Sequence, residues 1–565
     1  MRDNRRKRRR QKLISADEND SNSVESAIAN ENAEIPRGRT LYKINSMDEK
    51  SSEKFSSKEM IMKDLSLERT RLKLQELQSD FLEDMEEKIQ RVITDVIKEI
   101  GDSENDHKLF DDSKNCVDKM KPARDGALPD KEFLARSSLL TDLFAIKHIR
   151  TIYHIFVAIL IILLLNTVIY DLADTGRPNF GFGLILWNFG EMKTVIWIWI
   201  CMMAGTFSLY LFFHFFASNR HKVPEKNLEV WDKGWLAAFV LYLCVLLYWP
   251  LKSTLEHDLP PASSLIVLIE KIRLLMKSYA FVRSNTPKVL AYKPKDSNND
   301  KEADSPCPGF SQFLYYIFVP TLVYRDSYPR TKMVRWRVVA WSFTEVVGII
   351  FYVSFIFERL LKQQFENFGK SRVETKDLVV AIFNTMMPAT LAMLCGFFCL
   401  LHSWLNAFAE MMCFADRMFY KDWWNSTSFS TYYRTWNVVV HDWLYTYIYK
   451  DFSEIVCPDD RITPKLMVFA VSAVFHEYIL TFTFRYFYPV MLFMFGGAGV
   501  ALTFVQRKGA GGNVFMWLSL CMGTGLFLSL YSMEWYARIN CPQELSYWVD
   551  LVVPRSWTCN VGKRS

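Results

Sequence analysis

Apolar residues in this chain gather into long uninterrupted runs instead of recurring at the spacing of a soluble core. Thr151–Tyr170 is the clearest, broken only by His154 and Asn166. As a helix, a run of that length spans roughly 30 Å of hydrocarbon. Similar runs lie at Thr194–Ala217, Trp235–Pro250, Val338–Phe357, Leu378–Leu401, Leu466–Phe484, Pro489–Phe504 and Val514–Met533. Only helices or closed barrels satisfy backbone polar groups in lipid. The pattern therefore predicts an all-α fold: a polytopic helical membrane protein with about nine transmembrane helices.

Two segments are ambiguous. Leu265–Phe281 sets Glu270, Lys271, Arg273 and Lys277 among apolar residues, which predicts an amphipathic or half-buried helix. Gln312–Val323 is apolar but short, and Pro320 interrupts it. The N-terminal region is polar. Residues 1–57 lack periodicity and read as a disordered basic and polar tail. Across 58–101, Leu74, Leu77, Phe81, Met85, Ile89, Val92 and Val96 recur at steps of three and four, with Gly101 as a stop. That pattern predicts an amphipathic helix suited to homo-oligomerisation, or else one lying on the membrane or on its own protein. Residues 102–132 form a charged linker, and 133–565 the membrane-embedded domain. Asn285–Pro308 reads as an exposed linker.

Charge changes the picture little. The net charge is +6, and much of it sits in Arg5–Lys12. With no folded basic face, nucleic acid is not an expected partner. Beside so many spans, the basic run marks the cytosolic side or touches lipid headgroups. No signal peptide opens the chain, so the N-terminus is expected in the cytosol. Of the eleven cysteines, Cys201, Cys244, Cys395, Cys399 and Cys521 fall within runs and act as small apolar residues. Cys541 and Cys559 follow the last run and could pair if that tail is lumenal, but spacing does not determine pairing.

Candidate chemistry centres on His476, inside the run Leu466–Phe484. An intramembrane ionisable group usually marks function; the alternative is a histidine that bridges two helices. Glu477, Tyr478, Ile479 and Leu480 follow it, so the His-Glu-x-x-His zinc pattern fails and no metal is expected. Ser472 lies one turn earlier, on the same face. Upstream are FYKDWWN (Phe419–Asn425) and the segment Tyr432–His441. If that segment is helical, Tyr433, Asn437 and His441 share a face, while Arg434 and Lys421 offer cations to a phosphate-bearing ligand. An interfacial aromatic belt would explain the tryptophans but not this polar stripe. His402, followed by Trp404, Asn406 and Glu410, lines a cavity or closes a helix.

FYKDWWN, YYRTWNVVVHDW (Tyr432–Trp443) and His476 resemble the membrane-bound O-acyltransferase family, and within it the sterol O-acyltransferase group. The similarity extends to YRDSYPR (Tyr324–Arg330), HSWLNAFAE (His402–Glu410), EWYAR (Glu534–Arg538) and PRSWTC (Pro554–Cys559). It covers roughly Phe133 to Cys559 and leaves the N-terminal region unmatched. FYxDWWN also occurs in the diacylglycerol branch, so the longer strings are what favour a sterol acceptor.

The resemblance implies His476 as the catalytic base, Asn437 as its partner, and His402 near the reaction chamber. It places acyl-CoA contacts at Tyr433, Arg434, Asn437, His441, Tyr449 and Ser472, and a lumenal disulfide between Cys541 and Cys559. His148, just before the first span, is a candidate for a regulatory sterol site. Long-chain acyl-CoA is the implied co-substrate, with no further cofactor, and cholesterol or a related sterol is the acceptor. The implied setting is the endoplasmic reticulum membrane, with a lumenal C-terminal tail and a dimeric or tetrameric assembly. Diacylglycerol or a fatty alcohol is the alternative acceptor, and a non-catalytic lipid transporter or sterol sensor the alternative class.

Overall fold

The computed structural model describes residues 128–178, 182–292, 306–370, 375–458, 460, 462–505, 507 and 509–558. The expected tail 1–57, the helix 58–101, linker residues 102–127 and Cys559 lie outside these. The chain divides into residues 1–119 and 120–565, and the described residues belong to the second unit.

Among the described residues the fold is helical, without a strand. In chain order the helices are α1 (Leu139–Ala145), α2 (Lys147–Thr175), α3 (Phe182–Asn188), α4 (Met192–Arg220), α5 (Glu225–Glu256), α6 (Pro261–Ala291) and α7 (Phe310–Phe318). Next come α8 (Trp336–Ile356) and α9 (Thr375–Phe397); α9 runs on through the π-helical Phe398–Trp404 into Leu405–Met411. Then follow α10 (Phe429–Trp436), α11 (Val438–Leu444), α12 (Thr463–Phe484), the π segment Leu492–Gly499, α13 (Ala510–Asn540), α14 (Tyr547–Val552) and α15 (Arg555–Thr558).

Seven of the described helices are long and apolar enough to cross a bilayer. About nine were expected: the run Pro489–Phe504 holds only the shorter apolar stretch Leu492–Thr503, and neither ambiguous segment, Leu265–Phe281 or Gln312–Val323, is among the seven. The spanning helices turn apolar side chains outward. On α2, Ile155, Phe156, Ile162 and Ile169 are exposed, and its one buried residue is Asp171, paired with Arg359. Such a surface requires hydrocarbon as its solvent, and pairing satisfies the intramembrane charges.

Helix α6 resolves the ambiguity of Leu265–Phe281. It is longer than expected, and two of its charged residues point into the protein: Lys271 and Lys277 are fully buried. The Lys277 ammonium donates to the carbonyls of Tyr316 at 2.5 Å and Val319 at 2.8 Å, and Arg273 donates to Ile317 at 2.8 Å. These cations satisfy the C-terminal carbonyls of α7, which have no partner inside their own helix. Helix α7 stops at Phe318, just ahead of Pro320, as the break in Gln312–Val323 predicts. The expected linker Asn285–Pro308 begins later, because Asn285 is buried within α6 and donates to Phe281 O at 2.9 Å.

The far end of α9 is fastened by one buried carboxylate. Glu410 accepts from the backbone amide of Arg335 at 2.9 Å and from its guanidinium at 2.8 and 2.9 Å. That grip sets the helix carrying His402.

Candidate active site

FYKDWWN serves as the frame of the site. Trp423 is buried, with its ring centroid 4.6 Å from Trp436, 5.1 Å from Phe397 and 5.4 Å from Trp517. The backbone of the motif pairs with the junction between α10 and α11: Lys421 N donates to Thr435 O at 2.8 Å and Val438 N to Phe419 O at 2.9 Å. From α13, Asn513 and Trp517 donate to Trp424 O at 2.8 and 3.0 Å.

This frame holds a break in the helix at Asn437, where φ is −134° and ψ 88°. The Asn437 Oδ1 accepts the amide of Val440 at 3.1 Å and so caps α11. The expected helical stripe of Tyr433, Asn437 and His441 is therefore corrected. Tyr433 lies in the last turn of one helix, His441 lies on the next, and Asn437 is the joint. With its carbonyl oxygen used as a cap, the Asn437 side chain has its NH₂ group left to donate.

Helix α12 begins with Pro464 at its first turn, where a missing N–H costs nothing. The His476 side chain is exposed, between the buried Ala473 and Glu477. It is thus intramembrane by position but not packed over, unlike the helix-bridging histidine. Its Nδ1 lies 2.7 Å from the carbonyl of Ser472 and 3.5 Å from that serine's hydroxyl. A carbonyl only accepts, so Nδ1 carries a proton, and in the neutral ring the lone pair is on Nε2.

Phe495, on the π segment, joins the two halves of the site: its centroid is 5.5 Å from the His476 ring and 5.1 Å from Tyr433. Tyr433 also meets Phe469 of α12 at 5.3 Å. Glu477 anchors that π segment by accepting from Leu492 N at 3.0 Å, and it accepts from the Tyr531 hydroxyl at 3.2 Å.

His402 is the buried histidine, at 8% exposure. Its Nδ1 lies 2.7 Å from the Tyr420 hydroxyl and 3.3 Å from Ser138 Oγ, and those two hydroxyls are 2.7 Å apart. Asn406 donates to the His402 carbonyl at 2.8 Å.

His441, midway along α11, runs parallel to Tyr445 at 6.5 Å, and Tyr445 stacks on Tyr449 at 5.6 Å along the π segment Tyr445–Tyr449. Asp442 faces His441 at 3.6 Å and Lys131 at 2.5 Å. Burial would raise the Asp442 carboxyl, but the His441 hydrogen bond and the Lys131 charge outweigh it and hold the group below its usual range. Residues ahead of Phe133 are fastened here too: Asp130 meets Lys450 at 2.6 Å, and Leu128 N donates to Glu454 at 3.2 Å.

Other expected residues stand apart. Arg434 is exposed, with its Nε on Ser430 O at 3.2 Å. His148 is exposed on the first turn of α2 and makes no hydrogen bond or ring contact to the residues above. Cys541 is buried at the end of α13, and its expected partner lies outside the described residues.

The residues missed by sequence reasoning are Ser138, Phe495 and the acceptor role of Glu477. Phe495 and Tyr449 lie on π segments, whose side-chain phase a 3.6-residue period does not predict. Tyr420 was within a quoted motif, but nothing in the string says that its hydroxyl meets His402.

Comparison with known proteins gives a consistent result. The MBOAT, membrane-bound O-acyltransferase family matches residues 185–533. Sterol O-acyltransferase 1 of Chlorocebus aethiops is 41% identical over 527 residues, covering 91% of this chain and 94% of its own. The Mus musculus protein of the same name is 46% identical, covering 76% of this chain and 79% of its own. Sterol O-acyltransferase 2 of Homo sapiens is 42% identical, covering 76% and 80%. Residues 133–559 make up about three quarters of this chain. A match over 91% therefore reaches into the N-terminal region, which was expected to lie outside the similarity.

Proposed function

The chain belongs to the membrane-bound O-acyltransferase family, and from that premise we propose that it transfers a long-chain fatty acyl group from coenzyme A to the 3-hydroxyl of cholesterol or a related sterol. The products are steryl ester and free coenzyme A. One observation carries the reading: the open His476, whose Nδ1 is spent on Ser472 O and whose Nε2 is left as a base.

A sterol hydroxyl is a poor nucleophile, with a pKa far above neutral, so a positioned base must take its proton as the oxygen attacks the thioester carbonyl. His476 Nε2 takes that proton. The carbonyl oxygen becomes an oxyanion and accepts a hydrogen bond from the Asn437 side-chain amide. The C–S bond then breaks, and the thiolate recovers the proton from the imidazolium. No acyl-enzyme forms, so no cysteine is needed. The apolar walls supplied by Phe469 and Phe495 keep out water, which would otherwise hydrolyse the thioester.

Acyl-CoA arrives from the cytosolic side along Tyr433, Arg434, His441, Tyr449 and Ser472, and the sterol comes sideways from the bilayer. His402 supports the chamber wall. Likeness to the sterol O-acyltransferases supports an endoplasmic reticulum location, a cytosolic N-terminus, a lumenal tail closed by Cys541 and Cys559, and a homo-oligomer built through 58–100. The test offers membranes containing the protein labelled oleoyl-CoA with cholesterol or diacylglycerol. Steryl ester supports the proposal, triacylglycerol moves the acceptor, and no ester from either returns the question to a transporter or sensor.

A further inference from the structure

Lys271 is a buried cation that this chemistry does not use. It sits on α6 with 0% exposure, and among the described residues no carboxylate pairs with it. Its ammonium lies 2.5 Å from the hydroxyl of Tyr478 and 3.3 Å from Leu247 O, with the nitrogen 4.6 Å from the Tyr478 ring centroid. An intramembrane lysine held by a phenol and a carbonyl alone is costly, and such groups persist where they serve function.

Its place relative to the base is telling. His476, Glu477 and Tyr478 are consecutive on α12, and successive helical residues point about 100° apart. Glu477 faces α13 through Tyr531, Tyr478 faces α5 and α6 through Leu247 O and Lys271, and His476 faces the open side. Polar anchors thus grip the helix on both flanks of the imidazole. A side-chain tip lies roughly 5–6 Å from a helix axis, so turning α12 by about 10° moves it by about 1 Å. A displacement of that size can cost about a hundredfold in rate.

We propose that Lys271 is a positioning residue: acting through the Tyr478 hydroxyl, it fixes the rotation of α12 and thereby aims Nε2 of His476 at the acceptor hydroxyl. This rests on His476 being the base. Lys271 donates to Tyr478, and what matters is the donated hydrogen bond rather than the charge.

The test compares wild type with Lys271→Met, Lys271→Gln, Tyr478→Phe and the Lys271→Met/Tyr478→Phe double variant as purified full chains in lipid nanodiscs. In Lys271→Met and Tyr478→Phe, kcat for steryl ester falls about tenfold or more, while KM for oleoyl-CoA and for cholesterol stays within about twofold. Gln retains a donor, so Lys271→Gln keeps most of kcat. The double variant is no slower than the slower single, because one interaction is lost once. Equal kcat in Lys271→Met and wild type overturns the proposal. So does a loss carried by KM, or a Gln variant as poor as Met. If Lys271→Met fails to fold, Tyr478→Phe carries the same comparison. The rate of His476 carbethoxylation by diethyl pyrocarbonate, read by mass spectrometry, is a second readout that needs no turnover. It changes in Lys271→Met and Tyr478→Phe but not in Lys271→Gln, and an unchanged rate in all three counts against the proposal. If wild type makes no ester yet the carbethoxylation rates differ as stated, the acyl-transfer reading fails, and what stands is that Lys271 sets the orientation of the His476 ring.

Discussion

The side-chain oxygen of Asn437 accepts the amide of Val440 at 3.1 Å, which makes this residue both the cap of α11 and the holder of a free NH₂ group. These two roles separate in one variant. Asn437→Asp keeps the capping oxygen and loses the donor, whereas Asn437→Ala loses both. Asn437→Asp is therefore expected to fold with near-normal thermal stability while losing about 2.7–4 kcal/mol of transition-state stabilisation, or roughly 10²–10³ in kcat. Asn437→Ala adds a capping loss of about 1 kcal/mol to that deficit. Steady-state kinetics together with melting curves in detergent decide between them. An Asp variant with full activity would leave Asn437 as a cap alone.

Gly499 tests the neighbouring wall. A Cβ at this position would run into the Tyr433 hydroxyl and lie 3.1 Å from Met494 O. Tyr433 is pinned between Phe469 and Phe495, so it cannot retreat freely. Gly499→Ala is expected to lower kcat/KM for acyl-CoA about tenfold, a shift of about 1.4 kcal/mol. Adding Tyr433→Phe, which removes the hydroxyl, should recover part of the loss. A Gly499→Ala enzyme with unaltered kinetics would show that Tyr433 can move aside without consequence.

Much of this was readable in the chain, and the boundary is physical. The long apolar runs announced their helices because lipid imposes a length and a composition that few other structures need. His476 and Ser472 were placed on one face by four-residue spacing, and the structure has them in contact. The same spacing failed for Tyr433, Asn437 and His441, because a side-chain cap and a backbone pairing with Phe419 break the helix, and neither leaves a periodic trace. The fate of Lys271 was hidden for a related reason. A lysine among leucines looks alike whether it snorkels to the surface or meets a tyrosine from a helix some two hundred residues away.

The Tyr420 hydroxyl holds together a buried trio with His402 and Ser138. Tyr420→Phe removes it and leaves His402 Nδ1 with only the longer contacts to Ser138 and Asn406. Losing one buried hydrogen bond while others remain costs about 0.5–1.5 kcal/mol. The melting temperature of the detergent-solubilised protein is expected to fall accordingly. A variant as stable as wild type would show that the hydroxyl is dispensable to the fold.

Asp550 in α14 gives a pH signature at the tail. The hydrogen bond from Arg555, opposed by burial and helped by the Arg538 charge, holds its carboxyl below the usual range. A depressed folded pKa means that the stability it contributes is fully present above the unfolded value of about 3.9 and is lost as pH falls through the folded value. Asp550→Asn should therefore melt lower than wild type at pH 7, with the gap closing only below about pH 4. A gap independent of pH would remove the ionised carboxylate from the account.

The most direct test of the central claim is the single-turnover rate of steryl ester formation from labelled oleoyl-CoA and cholesterol, in wild type and in His476→Ala. The base mechanism predicts a fall of at least 10² in the alanine variant, with oleoyl-CoA binding and membrane insertion unchanged. A His476→Ala protein that forms ester within a few-fold of the wild-type rate would contradict it.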